Sequence, residues 1–314
     1  MKKKIIFVGC GYAGEYALRS LLNSPLRKAV EVVGVISHVF TKGLNPVITL
    51  ANALEMPLFV GDPNGNEGLA WVESLKPNFG VMLEYPKKLF SGFLEQFEWM
   101  INAHPSDLPK LRGGAPIEGA ILQQHPLVIS IHSVDEKFDH GHCLYKTDPI
   151  CIKGQHFEQV YELCAKLASS AILETIDKLL NGTQSCIPQD HTKASYLWDK
   201  DLEGLLQINW EQSDVFEIQR QILAAGPKRG ASTFLKDGEI PIRFLRGRAL
   251  AASHNELFGK LHSIEEKDEE KTLCIFAKDG ILLIDEYSIE KSLEHLLVPK
   301  KTSFKKYAIC RIST

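Results

Sequence analysis

Apolar and polar positions in the first half of the chain follow two periods. Continuous apolar runs, which predict buried strands, occupy residues 5–8, 30–37, 57–60, 79–83 and 99–103. Apolar residues three and four apart, which predict helices, occupy residues 16–22, 48–54 and 69–75. Strands that alternate with helices are typical of a parallel sheet with helices on both faces. The pattern therefore predicts an α/β domain with a Rossmann-like, mostly parallel sheet.

The pattern changes in the second half of the chain. Further strands are predicted at residues 127–134 and 143–152, and a long amphipathic helix at residues 157–180. Asn181-Gly182 is a good helix stop, and a polar, irregular stretch follows it. Ser213 is predicted as the N-cap of a helix over residues 215–223. Short apolar runs then lie at residues 233–235, 240–244, 272–276 and 281–284.

Short strands at close spacing are typical of a small β-barrel. Residues 236–238, Lys-Asp-Gly, predict a turn between two of them, and the charge run at residues 265–271 predicts a solvated loop. We expect a catalytic domain over residues 1–190, a linker over 191–204 and a smaller OB-like β domain over 205–314.

Composition narrows the class of protein. The 314 residues are 44% hydrophobic and 24% charged, the balance of a globular chain long enough for two domains. A formal net charge of −3 provides no global attraction for nucleic acid. The seven cysteines form no CxxC pair, which favours free thiols in a reducing compartment, and no apolar run is long enough to span a membrane. We expect a cytoplasmic protein without a membrane partner.

The strongest chemical signal lies where the run at 99–103 ends. Asn102 and His104 stand two residues apart and are followed by the Pro/Gly-rich stretch Pro105-Ser-Asp-Leu-Pro-Lys-Leu-Arg-Gly-Gly114. On an extended strand, residues two apart share a face. An amide donor beside a titratable nitrogen can polarise a carbonyl group and move a proton. Arg112 is interpreted as a cation that anchors the following loop.

This stretch resembles the signature of the folate-dependent formyltransferases, Asn-x-His-Pro-Ser-x-Leu-Pro-x-x-Arg-Gly. The resemblance implies an enzyme that moves a formyl group from N10-formyltetrahydrofolate to a primary amine, with Asn102 and His104 as catalytic residues. Residues 78–90 resemble the strand and loop that cover the pterin in this family, which implies that Leu83 and Tyr85 contact the folate.

A second segment, Phe138-Asp-His-Gly-His-Cys143, resembles the family's loop in which an Asp lies two residues before a Gly. The resemblance implies that Asp139 is the third catalytic residue and that Phe138, His140 and Gly141 contact the folate. The family usually has Thr or Ala where His140 stands and often Asp where His142 stands. The segment's His, Asp and Cys side chains also suggest a metal site, but their spacing matches no established zinc pattern, so we expect no metal.

A glycine turn near the amino end offers an interpretation from another class. Gly9-Cys-Gly-Tyr-Ala-Gly14 matches GxGxxG between a predicted strand and helix, the context of a dinucleotide fingerprint. A dehydrogenase of this kind also has an Asp or Glu at the end of the second strand, which binds the ribose 2′-OH. This chain has Ser37-His38 there. A tight turn that needs small residues is the preferred interpretation, and an NAD(P)-binding oxidoreductase is the distant alternative.

The acceptor amine is harder to predict, because the family has two branches of about this length. One branch formylates methionyl-tRNA and carries an Arg/Lys-rich insertion after the second strand. The other formylates amino sugars attached to nucleotides. Here residues 37–46 are short and hold Lys42 as their single lysine, which favours a nucleotide-linked amino sugar. Gly114-Ala-Pro-Ile117 resembles the tRNA branch, so methionyl-tRNA is the alternative acceptor. Other amines and the hydrolysis of formyl-folate also stay open. The sequence does not decide whether the protein is a homodimer.

Overall fold

A computed structural model of the chain describes residues 1–41, 43–235, 240–267, 270–291, 293 and 297. These residues form two compact units. The first unit comprises Met1–Ala120, Pro126–Cys151 and Gln159–Trp198. The second comprises Ile121–His125, Ile152–Glu158 and the described residues from Asp199 onward. The main division, between Trp198 and Asp199, falls inside the stretch predicted as a linker, residues 191–204.

Seven strands, six α-helices and a short 3-10 helix at Pro25–Lys28 precede residue 190 among the described residues. The strands are β1 (Lys3–Gly9), β2 (Val30–Ser37), β3 (Leu58–Val60), β4 (Phe79–Leu83), β5 (Trp99–His104), β6 (Ser130–Ser133) and β7 (Cys143–Lys146). The helices are α1 (Gly11–Asn23), α2 (Pro46–Ala53), α3 (Asn66–Leu75), α4 (Ser91–Leu94), α5 (Pro116–Leu122) and α6 (Phe157–Asn181).

The strands of the first unit form one sheet in the order β3-β2-β1-β4-β5-β6-β7. The pairs from β3 to β5 are parallel, whereas β6 and β7 are antiparallel to their neighbours. The predicted mostly parallel α/β sheet is confirmed. Its core forms because β1 is apolar on both faces: Ile5, Ile6, Phe7 and Val8 are 0% exposed. Burying each such side chain stabilises the fold by about 1.5–3 kcal/mol.

The two antiparallel strands are shorter than the apolar pattern predicts. The run at 143–152 forms strand only as far as Lys146, and the run at 127–134 is regular only over Ser130–Ser133. Pro149 has no N–H to donate to a ladder, so pairing resumes only as an isolated bridge between Leu127 and Ile150. These two predictions were too long.

The second unit contains two helices and a separate antiparallel sheet. The helices are α7 (Asp199–Leu205) and α8 (Val215–Arg229), and the strands are β8 (Ala231–Leu235), β9 (Ile240–Ala251), β10 (Leu261–Lys267), β11 (Glu270–Ala277) and β12 (Gly280–Ile289). The sheet order is β10-β11-β12-β9-β8. A mostly parallel α/β sheet followed by a smaller β unit is the predicted fold class.

Two local predictions in this unit were wrong. Asp214, not Ser213, caps α8, because the Asp214 carboxylate accepts from the N–H of Glu217 at 2.7 Å and the Glu217 carboxylate accepts from the N–H of Asp214 at 2.9 Å. Within the charge run, Glu265, Glu266 and Lys267 continue a hairpin ladder opposite Thr272, Lys271 and Glu270. The apolar pairing of Leu261 with Ile275 starts this ladder, which then extends into the polar segment. The predicted turn at 236–238 lies outside the described residues.

Thiols, membrane-spanning helices and metal-binding clusters can be checked in the described part of the chain. Its cysteines are free thiols: Cys10, Cys143, Cys164 and Cys274 are buried, and Cys151 and Cys186 are exposed. None of the helices described is both long enough and apolar enough to cross a membrane. Within the same residues, no group of three or more His, Cys, Asp or Glu side chains is arranged to hold a metal ion.

Candidate active site

Strand β5 carries two of the predicted catalytic residues on one face. Asn102 is paired in register with Met82 of β4 on one side and with His132 of β6 on the other. His104, two residues on, is opposite Ser130. Asn102 and His104 are 7% and 5% exposed. Because β4 and β5 are parallel, their carboxyl ends meet at one sheet edge, which is where α/β folds place their sites.

Asn102 is held by the histidine opposite it. The Asn102 side-chain Nδ2 lies 3.0 Å from His132 Nε2. The other ring nitrogen, His132 Nδ1, lies 2.8 Å from the Ser133 carbonyl oxygen, which can only accept a hydrogen bond. The proton of a neutral His132 is therefore on Nδ1, and Nε2 accepts from Asn102. One N–H of the Asn102 amide is used in this way, and the second is left to donate elsewhere.

His104 lies between a carbonyl group and the third predicted catalytic residue. Its Nε2 is 2.8 Å from the Leu111 carbonyl oxygen and therefore carries a proton. Its Nδ1 is 3.4 Å from Asp139 Oδ1, an oxygen that also lies 3.4 Å from His132 Nε2. In the neutral ring, Nδ1 is the nitrogen that can accept a proton, and it faces a carboxylate that would stabilise the resulting cation.

Burial and charge set the protonation states of this pair. Burial lowers the pKa of His104, and the Asp139 carboxylate raises it only in part. Burial alone would raise the pKa of Asp139, but the charge of a protonated His104 and the Gly113 N–H hold that pKa well below its usual range. At neutral pH the pair is therefore an imidazole beside a carboxylate, ready to take up one proton.

The loop that carries Asp139 has a strained backbone. Asp139 has a φ of 54°, in the left-handed region that non-glycine residues rarely adopt. Its Oδ2 accepts a hydrogen bond from the Gly113 N–H at 2.9 Å. A Cβ added to Gly141 would collide with the Ser133 carbonyl oxygen, so only glycine allows the loop to approach β6 this closely. The close approach of the loop to β6 therefore requires glycine two residues after Asp139.

The residues predicted to contact folate lie on two segments around this edge. Leu83 is the last residue of β4, and Tyr85 is 7% exposed and packs in the apolar core of the first unit. Phe138 and His140 flank Asp139 and are half-buried. Phe138 packs edge-on against Trp198, with ring centroids 5.2 Å apart. Lys88, within residues 78–90, places its Nζ 5.2 Å from the centroid of the Phe138 ring and so joins the two segments. Their role in holding folate stays a prediction.

Sequence reasoning missed two buried residues of the site. His132 was assigned no catalytic role, although its place on a predicted strand, two residues from Ser130, puts both side chains on one face of that strand. Gln189 falls in the stretch predicted to be irregular, yet its side chain donates to the carbonyl groups of Asp139 and Gly141. Nothing in the local pattern around Gln189 indicated this contact.

The glycine turn at Gly9–Gly14 is filled by the chain itself. It lies at the start of α1, where the sheet order reverses between β1 and β4. The Glu84 carboxylate accepts a hydrogen bond there from the Tyr161 hydroxyl at 2.9 Å, and that hydroxyl in turn accepts from the backbone N–H of Ala13 at 3.4 Å. This is the position that a dinucleotide phosphate takes at a helix N-terminus. An internal carboxylate at that position disfavours the dehydrogenase interpretation.

The arrangement around β5 suits an enzyme that transfers a group at a carbonyl carbon. An oriented amide N–H can stabilise an oxyanion, and a buried imidazole–carboxylate pair can take up a proton. Family models match both units: the formyl transferase model matches residues 63–176, and the formyl transferase C-terminal domain model matches residues 205–294. The chain belongs to the formyl transferase family, which confirms the resemblance found in the sequence.

Relatives and solved structures place the chain near both branches of this family. It is 30% identical over 247 residues to the methionyl-tRNA formyltransferase of Fervidobacterium nodosum, and the match covers 76% of each chain. It is similar in fold, with a TM-score of 0.64 and 19% identity, to an N-formyltransferase from Helicobacter canadensis in complex with folinic acid and dTDP-3-aminofucose; this match covers 92% of the present chain and 100% of the other. HypX from Aquifex aeolicus in complex with tetrahydrofolic acid matches at a TM-score of 0.66 and 15% identity, over 98% of this chain and 50% of the other.

Proposed function

We propose that the protein transfers the formyl group of N10-formyltetrahydrofolate to the primary amine of a nucleotide-linked amino sugar. The observation that carries the reaction is the convergence of the Asn102 amide, His104 Nδ1 and the Asp139 carboxylate at one sheet edge. Family membership and the folate compounds bound to the solved relatives support the formyl donor. Leu83, Tyr85, Phe138, His140 and Gly141 are the residues proposed to hold it.

The first step needs stabilisation of an oxyanion. The acceptor amine forms a bond to the formyl carbon, and the carbonyl π electrons move to the oxygen. Asn102 donates its free N–H to that oxygen, while its other N–H stays on His132. A preorganised donor of this kind is worth on the order of 3 kcal/mol of transition-state stabilisation. His132 thus acts by orienting the Asn102 amide.

The second step moves protons. The attacking amine becomes an ammonium group and must lose a proton, which His104 accepts on Nδ1. The Asp139 carboxylate, 3.4 Å from that nitrogen, stabilises the imidazolium. An electron pair of the oxyanion then re-forms the carbonyl double bond as the bond between the formyl carbon and N10 breaks. The electron pair of that bond goes to N10, and His104 returns the proton there. The cycle leaves a formamide and tetrahydrofolate, with the enzyme unchanged.

Charge on the second unit supports a small acceptor over tRNA. Strand β9 carries three exposed arginines, Arg243, Arg246 and Arg248, the kind of cations that would contact phosphates, and the last two are paired with carboxylates. Arg246 lies 3.4 Å from the Glu286 carboxylate, and Arg248 lies 3.1 Å from that of Asp285, both on β12. Binding RNA there would require breaking these pairs. The formal net charge of −3 points the same way.

Methionyl-tRNA is the second candidate acceptor. The support is the 30% identity to the methionyl-tRNA formyltransferase of Fervidobacterium nodosum, which covers 76% of both chains. Gly114-Ala-Pro-Ile117 follows the catalytic strand in the same way as in that branch. The two candidates share the donor, the catalytic residues and the chemistry, and they differ in the acceptor alone.

A direct competition between acceptors tests the proposal. The full-length protein is incubated with N10-formyltetrahydrofolate and either dTDP-3-aminofucose or methionyl initiator tRNA, and products are read by mass spectrometry as the gain of one carbonyl group. We expect the formylated sugar nucleotide and, for Asn102→Ala, neither product. Formylation of the tRNA alone would overturn the sugar assignment. Transfer to neither acceptor would contradict both candidates.

A further inference from the structure

Gln189 lies buried beneath the loop that carries Asp139. Only 8% of the surface of this residue is exposed. The amide Nε2 donates to the carbonyl oxygens of Asp139, at 2.9 Å, and of Gly141, at 2.6 Å. Both N–H bonds of one side chain therefore bind the backbone on either side of His140. A single amide replaces the regular hydrogen bonds that this irregular loop lacks.

Arg112 fixes which way the Gln189 amide points. Its Nη2 donates to Gln189 Oε1 at 2.6 Å, and a guanidinium can only donate. The oxygen of the amide must therefore face Arg112, and Nε2 must face the loop. Arg112 is 1% exposed and is held by two further neutral acceptors, His191 Nδ1 and the Tyr196 hydroxyl, each at 2.9 Å.

These contacts close a ring around Asp139. The side chain of Arg112 reaches the Asp139 carbonyl group through Gln189, while the next residue, Gly113, donates its N–H to the Asp139 carboxylate. Asp139 adopts a left-handed backbone, a conformation that costs roughly 1–3 kcal/mol and persists only when its surroundings hold it. The direction in which the Asp139 carboxylate points relative to His104 depends on the backbone conformation of Asp139.

We propose that Gln189 is a positioning residue that holds the Asp139 backbone so that the carboxylate faces Nδ1 of His104. Gln189 does not touch the reacting atoms; it acts through Asp139. The consequence for turnover rests on the proposed function, whereas the consequence for the state of His104 follows from the contacts alone. The experiment therefore reads His104 in the protein without folate or acceptor.

Two substitutions separate the contacts of Gln189. Gln189→Glu keeps an oxygen for Arg112 but removes both donors to the loop, and Gln189→Leu removes all three contacts. Gln123→Glu, at an exposed position, is the matched control. The imidazole ¹⁵N resonances of His104, assigned with His104→Gln, are followed as a function of pH. Thermal unfolding is recorded for each variant.

We expect the titration of His104 to move to lower pH in both Gln189 variants, in the direction of Asp139→Asn, and to stay unchanged in the control. A merely structural role would lower the unfolding temperature without moving this titration, and that result would overturn the proposal. If Gln189→Leu does not fold, Gln189→Glu, which keeps the Arg112 contact, carries the test.

Turnover gives the second measurement. We expect kcat to fall about a hundredfold in Gln189→Leu, because a catalytic group is misplaced. The KM for N10-formyltetrahydrofolate should rise as well, because the loop that Gln189 holds carries residues proposed to bind the donor. Gln189→Leu should lower kcat far less when it is added to Asp139→Asn than when it is made in the wild type, because both substitutions act on the Asp139 carboxylate. Full additivity would overturn the proposal. A shifted His104 titration in a protein without transferase activity would contradict the proposed function and leave the positioning role intact.

Discussion

Asn102 and His132 face each other across β5 and β6, and Asn102 Nδ2 lies 3.0 Å from His132 Nε2. The Ser133 carbonyl oxygen sets the tautomer of that histidine, so the amide is oriented by a chain of two hydrogen bonds. A donor held in this way needs little reorganisation when charge develops on the substrate, which is the condition for efficient oxyanion stabilisation.

His132→Phe should lower kcat by about tenfold to a hundredfold, less than loss of the donor itself, because the Asn102 amide remains but is free to rotate. Formyl transfer and the Kd for folinic acid are measured together, and we expect the Kd to change little. His125→Phe serves as the control at a histidine outside the site. Wild-type kcat in His132→Phe would show that Asn102 needs no orienting partner.

Asn102→Ala, His104→Ala and Asp139→Ala should each reduce turnover at least about a hundredfold with folding intact. Each removes one of the oxyanion donor, the proton acceptor or its counter-charge. Turnover is measured alongside far-UV circular dichroism and thermal unfolding. Asn181→Ala, an exposed residue at the end of α6, is the control. Near-normal formylation by His104→Ala would rule out the proton transfer described above.

The acid limb of the kcat/KM profile should lie below the ordinary imidazole value of 6.5, because burial lowers the pKa of His104 and the neutral ring is the active form. In Asp139→Asn the carboxylate no longer raises that pKa, so the limb should move to still lower pH as kcat falls. Initial rates across the pH range at fixed ionic strength check both statements. A limb above 6.5 would contradict the assignment of His104.

The same pKa shift predicts how stability depends on pH. Because the pKa of His104 is lower in the folded protein than in the unfolded chain, unfolding takes up a proton, and stability falls as the pH drops below about 6.5. The depressed pKa of Asp139 acts in the same direction but only near and below its ordinary value of 3.8. His104→Gln should flatten the first part of the curve, measured as unfolding temperature against pH. An equal slope in wild type and variant would contradict this origin.

Gly141→Ala should lower both stability and activity, because the added Cβ meets the Ser133 carbonyl oxygen and pushes the Asp139 loop away from β6. Overpacking of this kind typically costs about 1–3 kcal/mol. Denaturant unfolding measures the loss. Gly204→Ala in α7 is the matched control, since a Cβ there meets nothing within 4 Å and should stabilise the helix slightly. Similar behaviour of the two variants would dismiss the steric explanation.

Glu84→Ala should destabilise α1 by about 0.3–1 kcal/mol, because the helix N-terminus loses its carboxylate. If that carboxylate occupies an anion position, sulfate should raise the unfolding temperature of the variant more than that of the wild type. Chloride at equal ionic strength is the reference. An identical sulfate effect in both proteins would show that the turn holds no anion position.

Local patterns determined much of this protein. The apolar runs placed β1, β2, β4 and β5 closely, because a buried parallel strand must be apolar on both faces. The two-residue period of a strand set Asn102 and His104 on one face. The formyl transferase family followed from the same stretch. The errors at Ser213 and at residues 265–271 concern which of several adjacent polar residues ends an element, a choice that side-chain contacts make.

Only the tertiary structure decided what surrounds those residues. His132 lies 30 positions from Asn102 in the sequence, and Gln189 lies 50 positions from Asp139, yet each forms a hydrogen bond there. Such pairs depend on strand register and on how loops close over a sheet edge, and no local periodicity encodes either. The residues proposed as catalytic were therefore predicted from the sequence. The hydrogen bonds that orient them, between Asn102 and His132 and between Gln189 and Asp139, appeared only in the folded chain.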